Sequence, residues 1–187
     1  CFLRGSGNFL MWASLPSPFN FCPACGSVGG EFIDSREYRC PACGFRYFHN
    51  VATAAGVVVE RGGKFLFVVR AAEPAKGKLG LPGGFVDPGE SVEAALRREV
   101  REEIGAEIDE PVFLASFPNR YAFGATIYHT CDLYFRAEVL TRPQDWRLAA
   151  GEVSDLVWLA PDEVDPQDLA FESLRRVWEL LTRTGFS

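Results

Sequence analysis

The sequence predicts an α/β domain, with a mixed sheet and helices packed on its faces, preceded by a small cysteine-rich module. Three observations predict it. Near His49-Asn50 the composition changes from a stretch holding four of the six cysteines to long apolar runs rich in β-formers. Beyond that boundary, segments of period two are interleaved with two segments of helical period. Their order is strands, helix, strands, helix, which places helices against a sheet.

Residues 1–20 read as a Pro/Ser/Gly leader. The chain begins at Cys1 and its single methionine is Met11, so a native start is expected at Met11, with residues 1–10 foreign to it. Residues 21–49 form the cysteine-rich module and 50–187 the α/β domain. In the latter, 54–60 and 64–70 read as a hairpin around Arg61-Gly62-Gly63. The Gly-, Pro- and Lys-rich stretch 71–90 reads as loop with a short strand. Residues 91–104 form a helix, Ser91 capping its start and Gly105 stopping it. Strands follow at 112–117 and 126–140. In the second, Ile127, His129, Cys131, Leu133, Phe135 and Ala137 share a face that alternation assigns to the core. A short strand at 156–159 and an amphipathic helix at 171–182 close the chain.

With 19 basic and 25 acidic residues, the net charge is -6. That balance disfavours a nucleic-acid partner, which calls for a basic face. An acidic chain that handles anions needs cations as intermediaries. No apolar run approaches the roughly 20 residues of a membrane span. No export signal is apparent, so no membrane partner and a cytoplasmic location are expected.

The pentapeptide Cys-Pro-Ala-Cys-Gly occurs at 22–26 and again at 40–44. Cys22-x2-Cys25 and Cys40-x2-Cys43 are separated by 14 residues, a spacing that brings four thiolates around one tetrahedral Zn2+. Two disulfides are the competing reading, disfavoured in a cytosolic chain. The arrangement resembles a zinc ribbon. Its charges cancel, so the zinc is expected to be structural. Cys1 and Cys131 fall outside the pattern.

On the helix 91–104, rotation by about 100° per residue puts Glu99 and Glu103 on the face of Val92 and Leu96, with Glu102 beside them. Arg97, Arg98 and Arg101 fall mostly on the other side. Carboxylates on the inward stripe break the amphipathic rule. Crowded together they either raise one another's pKa values or bind a cation, and an all-oxygen set suits Mg2+ or Mn2+. The competing reading is a solvated helix with i,i+4 pairs.

Gly84, five residues, Glu90, seven residues, Arg98-Glu99-Val100-Arg101-Glu102-Glu103-Ile104-Gly105-Ala106 resembles the complete Nudix box, Ala106 standing where a larger aliphatic is usual. Leu81-Pro82-Gly83-Gly84 is similar to the family's run before the box. The resemblance implies an α/β/α sandwich and a metal-dependent hydrolase that cleaves a diphosphate linkage into two phosphorylated halves. It implies that Glu99, Glu102 and Glu103 hold the Mg2+ or Mn2+, with a carbonyl of Gly83 or Gly84. Glu90 and Arg98 would pair and shape the loop. Members often recruit a further carboxylate from a late loop; Glu152 is the candidate and Glu138 the alternative.

A zinc ribbon ahead of such a domain resembles the NADH pyrophosphatase branch. That branch's Ser-Gln-Pro-Trp motif is replaced here by Ser116-Phe117-Pro118-Asn119-Arg120-Tyr121. The spacing of Pro118 does not match the ADP-ribose branch either. The substrate stays open among NADH, ADP-ribose and similar nucleoside diphosphate derivatives. Phe117, Arg120, Tyr121 and Phe123 are candidates for stacking a base and gripping a phosphate, against packing roles for the aromatics. Lys76 and Lys78 read as solvating their loop. Two other classes compete: a non-catalytic nucleotide sensor and a zinc-ribbon adaptor. A homodimer is the expected assembly.

Overall fold

The computed structural model describes residues 17–124 and 126–184. The expectations for residues 1–10, Cys1 and Met11 lie outside them. The chain divides into two units, meeting between Asn50 and Val51.

In the first unit, strands β1 (Glu31–Ile33), β2 (Glu37–Arg39) and β3 (Arg46–Phe48) form an antiparallel sheet. Its core is Cys22, Cys40 and Tyr38, with Phe19, Phe32 and Phe45 against them. Phe19 meets the rings of Tyr38 and Tyr47 edge-on at 5.1 Å, so the packed module begins before residue 21. At Gly30 a Cβ would lie 2.2 Å from the Tyr38 ring, which requires glycine there.

The second unit holds two sheets. One runs β8 (Gly83–Phe85), β4 (Ala52–Val58), β10 (Thr126–Arg136), β9 (Val112–Phe123). In it β10 pairs with β4 in parallel and the other neighbours are antiparallel. The other sheet runs β11 (Val153–Leu159), β6 (Lys64–Arg70), β5 (Glu60–Arg61), with β7 (Leu79–Gly80) also on β6. Helix α1 (Val92–Ile104) belongs to one core and α2 (Glu172–Thr184) to the other. Leu96, Val100 and Ile104 of α1 meet Val57, Leu66, Val68 and Phe135; Leu174, Val177 and Trp178 of α2 meet Val58, Phe65, Phe67 and Tyr134. Neighbours along one strand thus serve opposite cores. Each fully buried aliphatic contributes about 1.5–3 kcal/mol.

This two-sided cover corrects three strand assignments. The expected hairpin 54–60/64–70 is split: the chain pairs with β10 as far as Val58 and with β6 only from Glu60 on, while Val57 and Val59 enter the α1 core and Val58 the α2 core. Only the two residues of β5 pair with β6 around Gly62-Gly63, and β4 joins the other sheet. The strand expected at 112–117 continues to Phe123. In β10, alternation does not separate core from solvent: Thr130, Asp132 and Tyr134 are buried, whereas Ile127 is exposed. A sheet covered on both faces removes the in/out rule that the alternation relied on.

Candidate active site

α1 forms where expected. Ser91 Oγ accepts the N–H of Ala94, and Gly105 closes the helix in the left-handed region at φ 67°. The caps fix which residues face inward. Glu103 is 9% exposed, and its Oε2 accepts the N–H of Gly83 at 2.9 Å. Burial, then the charges of Glu99 and Glu152, push its carboxyl up to about 8 against the pull of the Gly83 amide. Glu99 is also raised, first by burial, with Arg98 opposing.

Two glycines let this cluster sit against the sheet. Gly83 has φ 142°, and a Cβ on it would lie 2.1 Å from the Ala55 carbonyl oxygen. A Cβ on Gly84 would come within 2.6 Å of the Glu99 carboxylate. Glu99 therefore lies directly over a bare backbone.

Arg98 does not lie on the far side of the helix. Its Nε and one terminal nitrogen donate to Glu90 at 2.8 and 2.9 Å, and its other terminal nitrogen to Glu99 and Glu102 at 2.7 and 3.0 Å. The Phe85 carbonyl takes a further bond at 3.1 Å. Glu90 also accepts the Asp87 N–H, and its carboxyl is held low by Arg98. One guanidinium thus joins the loop 85–90, through Phe85 and Glu90, to Glu99 and Glu102 of the helix.

A cavity of about 460 Å³ opens beside this cluster. Glu99 and Glu103 line it from α1, Gly83 and Gly84 from β8, and Glu152 from the loop before β11. Glu152 is placed by Gly151 at φ 93° and by its carbonyl, which accepts the Ala71 N–H at 2.8 Å. Glu138 is not at the cavity: its backbone is bonded to Asp109 on another edge. Glu90, Arg98 and Glu102 also stand outside the lining, Glu102 exposed and bound to Arg98.

Of the four residues expected to hold substrate, Tyr121 and Phe123 line the cavity. Phe117 and Arg120 lie outside its lining. Phe117 packs toward the α2 core with the Arg176 guanidinium 5.2 Å from its ring centre. Arg120 alternates away from Asn119 and Tyr121 along β9, and is exposed. Lys78 pairs with Asp168 at 3.0 Å.

Among the polar lining residues that the sequence reading did not single out are Arg70, Asn119, Thr130 and Asp132. Arg70 is the only cationic side chain among the lining residues. Its Nε donates to the Pro74 carbonyl at 2.9 Å, and its guanidinium lies 5.0 Å from the Phe171 ring centre. It makes no ion pair among the described residues. The signal available was an arginine ending an apolar strand just ahead of the Gly/Pro loop.

In the first unit, Cys22, Cys25, Cys40 and Cys43 converge so that all four sulfurs lie within 4.8 Å of one another, the only such ligand group among the described residues. Cys22–Cys43 and Cys25–Cys40 sulfurs stand 3.7 and 3.8 Å apart. Those separations exceed the ~2.05 Å of a disulfide. They equal the edge, about 3.8 Å, of a tetrahedron with metal–sulfur bonds of ~2.3 Å. The two pentapeptides form equivalent turns: Gly26 N–H reaches the Cys22 carbonyl and Gly44 N–H the Cys40 carbonyl. Ser27 Oγ contacts the Cys25 and Cys40 sulfurs at 3.1 and 3.2 Å and is the main cause that lowers Cys40 to about 6.

A mixed-sheet α/β/α unit with a glutamate-rich helix, entered through a paired-glycine strand, defines the class, and the chain belongs to the Nudix family. The NUDIX domain model matches residues 50–180. The chain is 33% identical over 152 residues to a protein named NAD-capped RNA hydrolase NudC of Stutzerimonas stutzeri, covering 79% of this chain and 50% of that one. To the protein of the same name in Deinococcus radiodurans it is 30% identical, over 84% of this chain and 54% of that one. The chain thus spans about half the length of these curated relatives. Among solved structures, a NUDIX hydrolase from Nitrosomonas europaea superposes with a TM-score of 0.64 at 24% identity, covering 88% of this chain and 93% of that one. No helix among the described residues is long and apolar enough to cross a membrane.

Proposed function

We propose that the chain hydrolyses the diphosphate bond of a nucleoside diphosphate derivative, NADH and ADP-ribose being the leading candidates. One observation carries the reading: Glu99, Glu103 and Glu152 line one cavity with Arg70 opposite them in charge. The family implies a divalent cation, and the residues fit one. The carboxyls of Glu99 and Glu103 are raised by burial and by neighbouring carboxylates, and the bare backbone at Gly84 leaves room beside Glu99. Glu99 and Glu103 would hold it, with Glu102 once Arg98 releases that side chain, and a Gly83 or Gly84 carbonyl. When bound there, Mg2+ or Mn2+ neutralises the diphosphate and acidifies water.

The remaining work belongs to side chains of this chain. Arg70 grips a phosphate oxygen with its free terminal nitrogens. Tyr121 and Phe123 flank the nucleoside. Glu152, from a different element and exposed, accepts a proton as water attacks phosphorus. The P–O bond to the leaving phosphate breaks and each half departs phosphorylated. The relatives' name adds NAD-capped RNA as a source of the same linkage, while the acidic balance of this chain favours a free dinucleotide.

We also propose structural Zn2+ on the four cysteines. It rests on the convergence of the four sulfurs within 4.8 Å, two of the pairs at 3.7 and 3.8 Å.

The test is product analysis with Mg2+ or Mn2+ on NADH, ADP-ribose, FAD, dinucleoside polyphosphates and nucleoside triphosphates. Two phosphorylated products from one compound are expected, with turnover falling by orders of magnitude in Glu99→Gln and Glu103→Gln. Tight nucleotide binding without cleavage would replace the hydrolase with a sensor.

A further inference from the structure

At the cavity wall formed by β9 and β10 lies a polar cluster that the diphosphate chemistry does not use. Asn119 and Thr130 face one another across the ladder, and Asp132 and Tyr134 follow Thr130 on the same face. Asn119, Thr130 and Asp132 are each more than nine-tenths buried, yet all three line the cavity. We propose that this wall is a subsite that reads an uncharged, hydrogen-bond-donating group on the nucleoside side of the substrate. The proposal rests on the diphosphate reading for the rest of the ligand.

The polarity of the cluster carries it. Asp132 Oδ2 accepts from Asn119 Nδ2 at 2.8 Å and from Ser173 Oγ at 2.6 Å, while Oδ1 accepts from Thr130 Oγ1. Tyr134 in turn donates to Ser173 at 2.8 Å. A carboxylate offers about four acceptor positions. Three are taken, so one lone pair on Oδ1 is left. Because Asn119 must point its amide nitrogen at a carboxylate, its carbonyl oxygen is directed away from Asp132. Thr130 has committed its only proton, so its oxygen too can only accept. What the cluster has left is therefore mainly acceptors, backed by a negative charge.

A group that donates, such as an exocyclic amine, a carboxamide or a ribose hydroxyl, completes such a wall. A phosphate or carboxylate placed there meets repulsion and leaves the acceptors unpaired, and buried unpaired acceptors cost more than a lost bond gains. Ser173 holds Asp132 from α2 and is not at the cavity, so the acceptor set is fixed before any ligand arrives.

The test is calorimetric binding in buffer without added Mg2+ or Mn2+, which needs no turnover, of NAD+ and three analogues that each remove one donor. NADP+ replaces a ribose hydroxyl by phosphate, nicotinic acid adenine dinucleotide replaces the carboxamide by a carboxylate, and nicotinamide hypoxanthine dinucleotide replaces the amine by an oxo group. One analogue is expected to bind about tenfold or more weakly than NAD+, identifying the group read. In Thr130→Val and Asp132→Asn that gap should shrink below about threefold. Equal affinities for all four, or a gap unchanged in both variants, would overturn the proposal; where binding needs the cation, the same four compounds are compared in Mg2+ by kcat/KM, read against the same two outcomes. Discrimination in binding without cleavage in Mg2+ would sink the hydrolase reading alone.

Discussion

Glu103 shows how much one residue's environment decides. Its carboxyl is held near 8 by burial and by Glu99 and Glu152, far above the 4.5 of a free glutamate. The metal-free folded protein therefore keeps a proton that the unfolded chain gives up first. Stability from that proton is complete below about pH 4.5 and is lost as pH rises through about 8. Glu99 moves in the same direction and adds to the trend. A tenfold change in proton affinity corresponds to about 1.4 kcal/mol, so a few kcal/mol are at stake. Without added Mg2+ or Mn2+ the melting temperature should fall between about pH 5 and 8, and Mg2+ should restore it at the alkaline end, because a cation favours the carboxylate. A flat profile would contradict the burial argument. Gly84 offers a second check at this scale. Gly84→Ala puts a methyl 2.6 Å from the Glu99 carboxylate, so turnover should fall more than tenfold while circular dichroism stays native.

At the scale of elements, α1 and its loop were legible because their signals are local. Ser91, Gly105 and the box spacing all lie within one stretch of chain, and the helix ends where they place it. What was not legible needed partners far along the sequence. The turn of Arg98 toward Glu90 and the Phe85 carbonyl depends on where the loop returns. The burial of Asp132 depends on Asn119 across the ladder and Ser173 on α2, 41 residues away. An alternating strand with polar residues on one face reads as half-solvated until a second helix covers it. Phe117 and Tyr121 lie four residues apart on β9, one over core and one over cavity, and no local pattern separates them. Arg98→Lys tests the loop–helix tie. A single ammonium cannot bridge Glu90, Glu99 and Glu102 as the planar fork does. Activity should drop at least tenfold and unfolding free energy by about 1–3 kcal/mol. Ser173→Ala should cost a similar amount, since Asp132 loses one bond and Tyr134 another.

At the scale of the whole molecule, the two units draw stability from different sources. The α/β unit owns two apolar cores, and every residue in them comes from Ala55 onward. Among the described residues the first unit has a core of Cys22, Tyr38 and Cys40 with three part-buried aromatics, too little to hold three short strands by burial alone. Its four sulfurs converge within 4.8 Å of one another, as ligands of one ion must, so metal binding and folding of this unit should be one event. Chelation at neutral pH is therefore expected to release one zinc per chain and to abolish hydrogen-exchange protection at the amides of Cys22 and Cys40. In the same sample the amides of Leu66, Val68 and Val100 should stay protected. Cys43→Ser should give the same pattern without chelator, because three thiolates cannot close the site. Retained protection at Cys22 and Cys40 in the metal-free protein would show that the ribbon folds on its aromatic core. Loss of protection throughout the chain would show instead that the α/β unit depends on the metal.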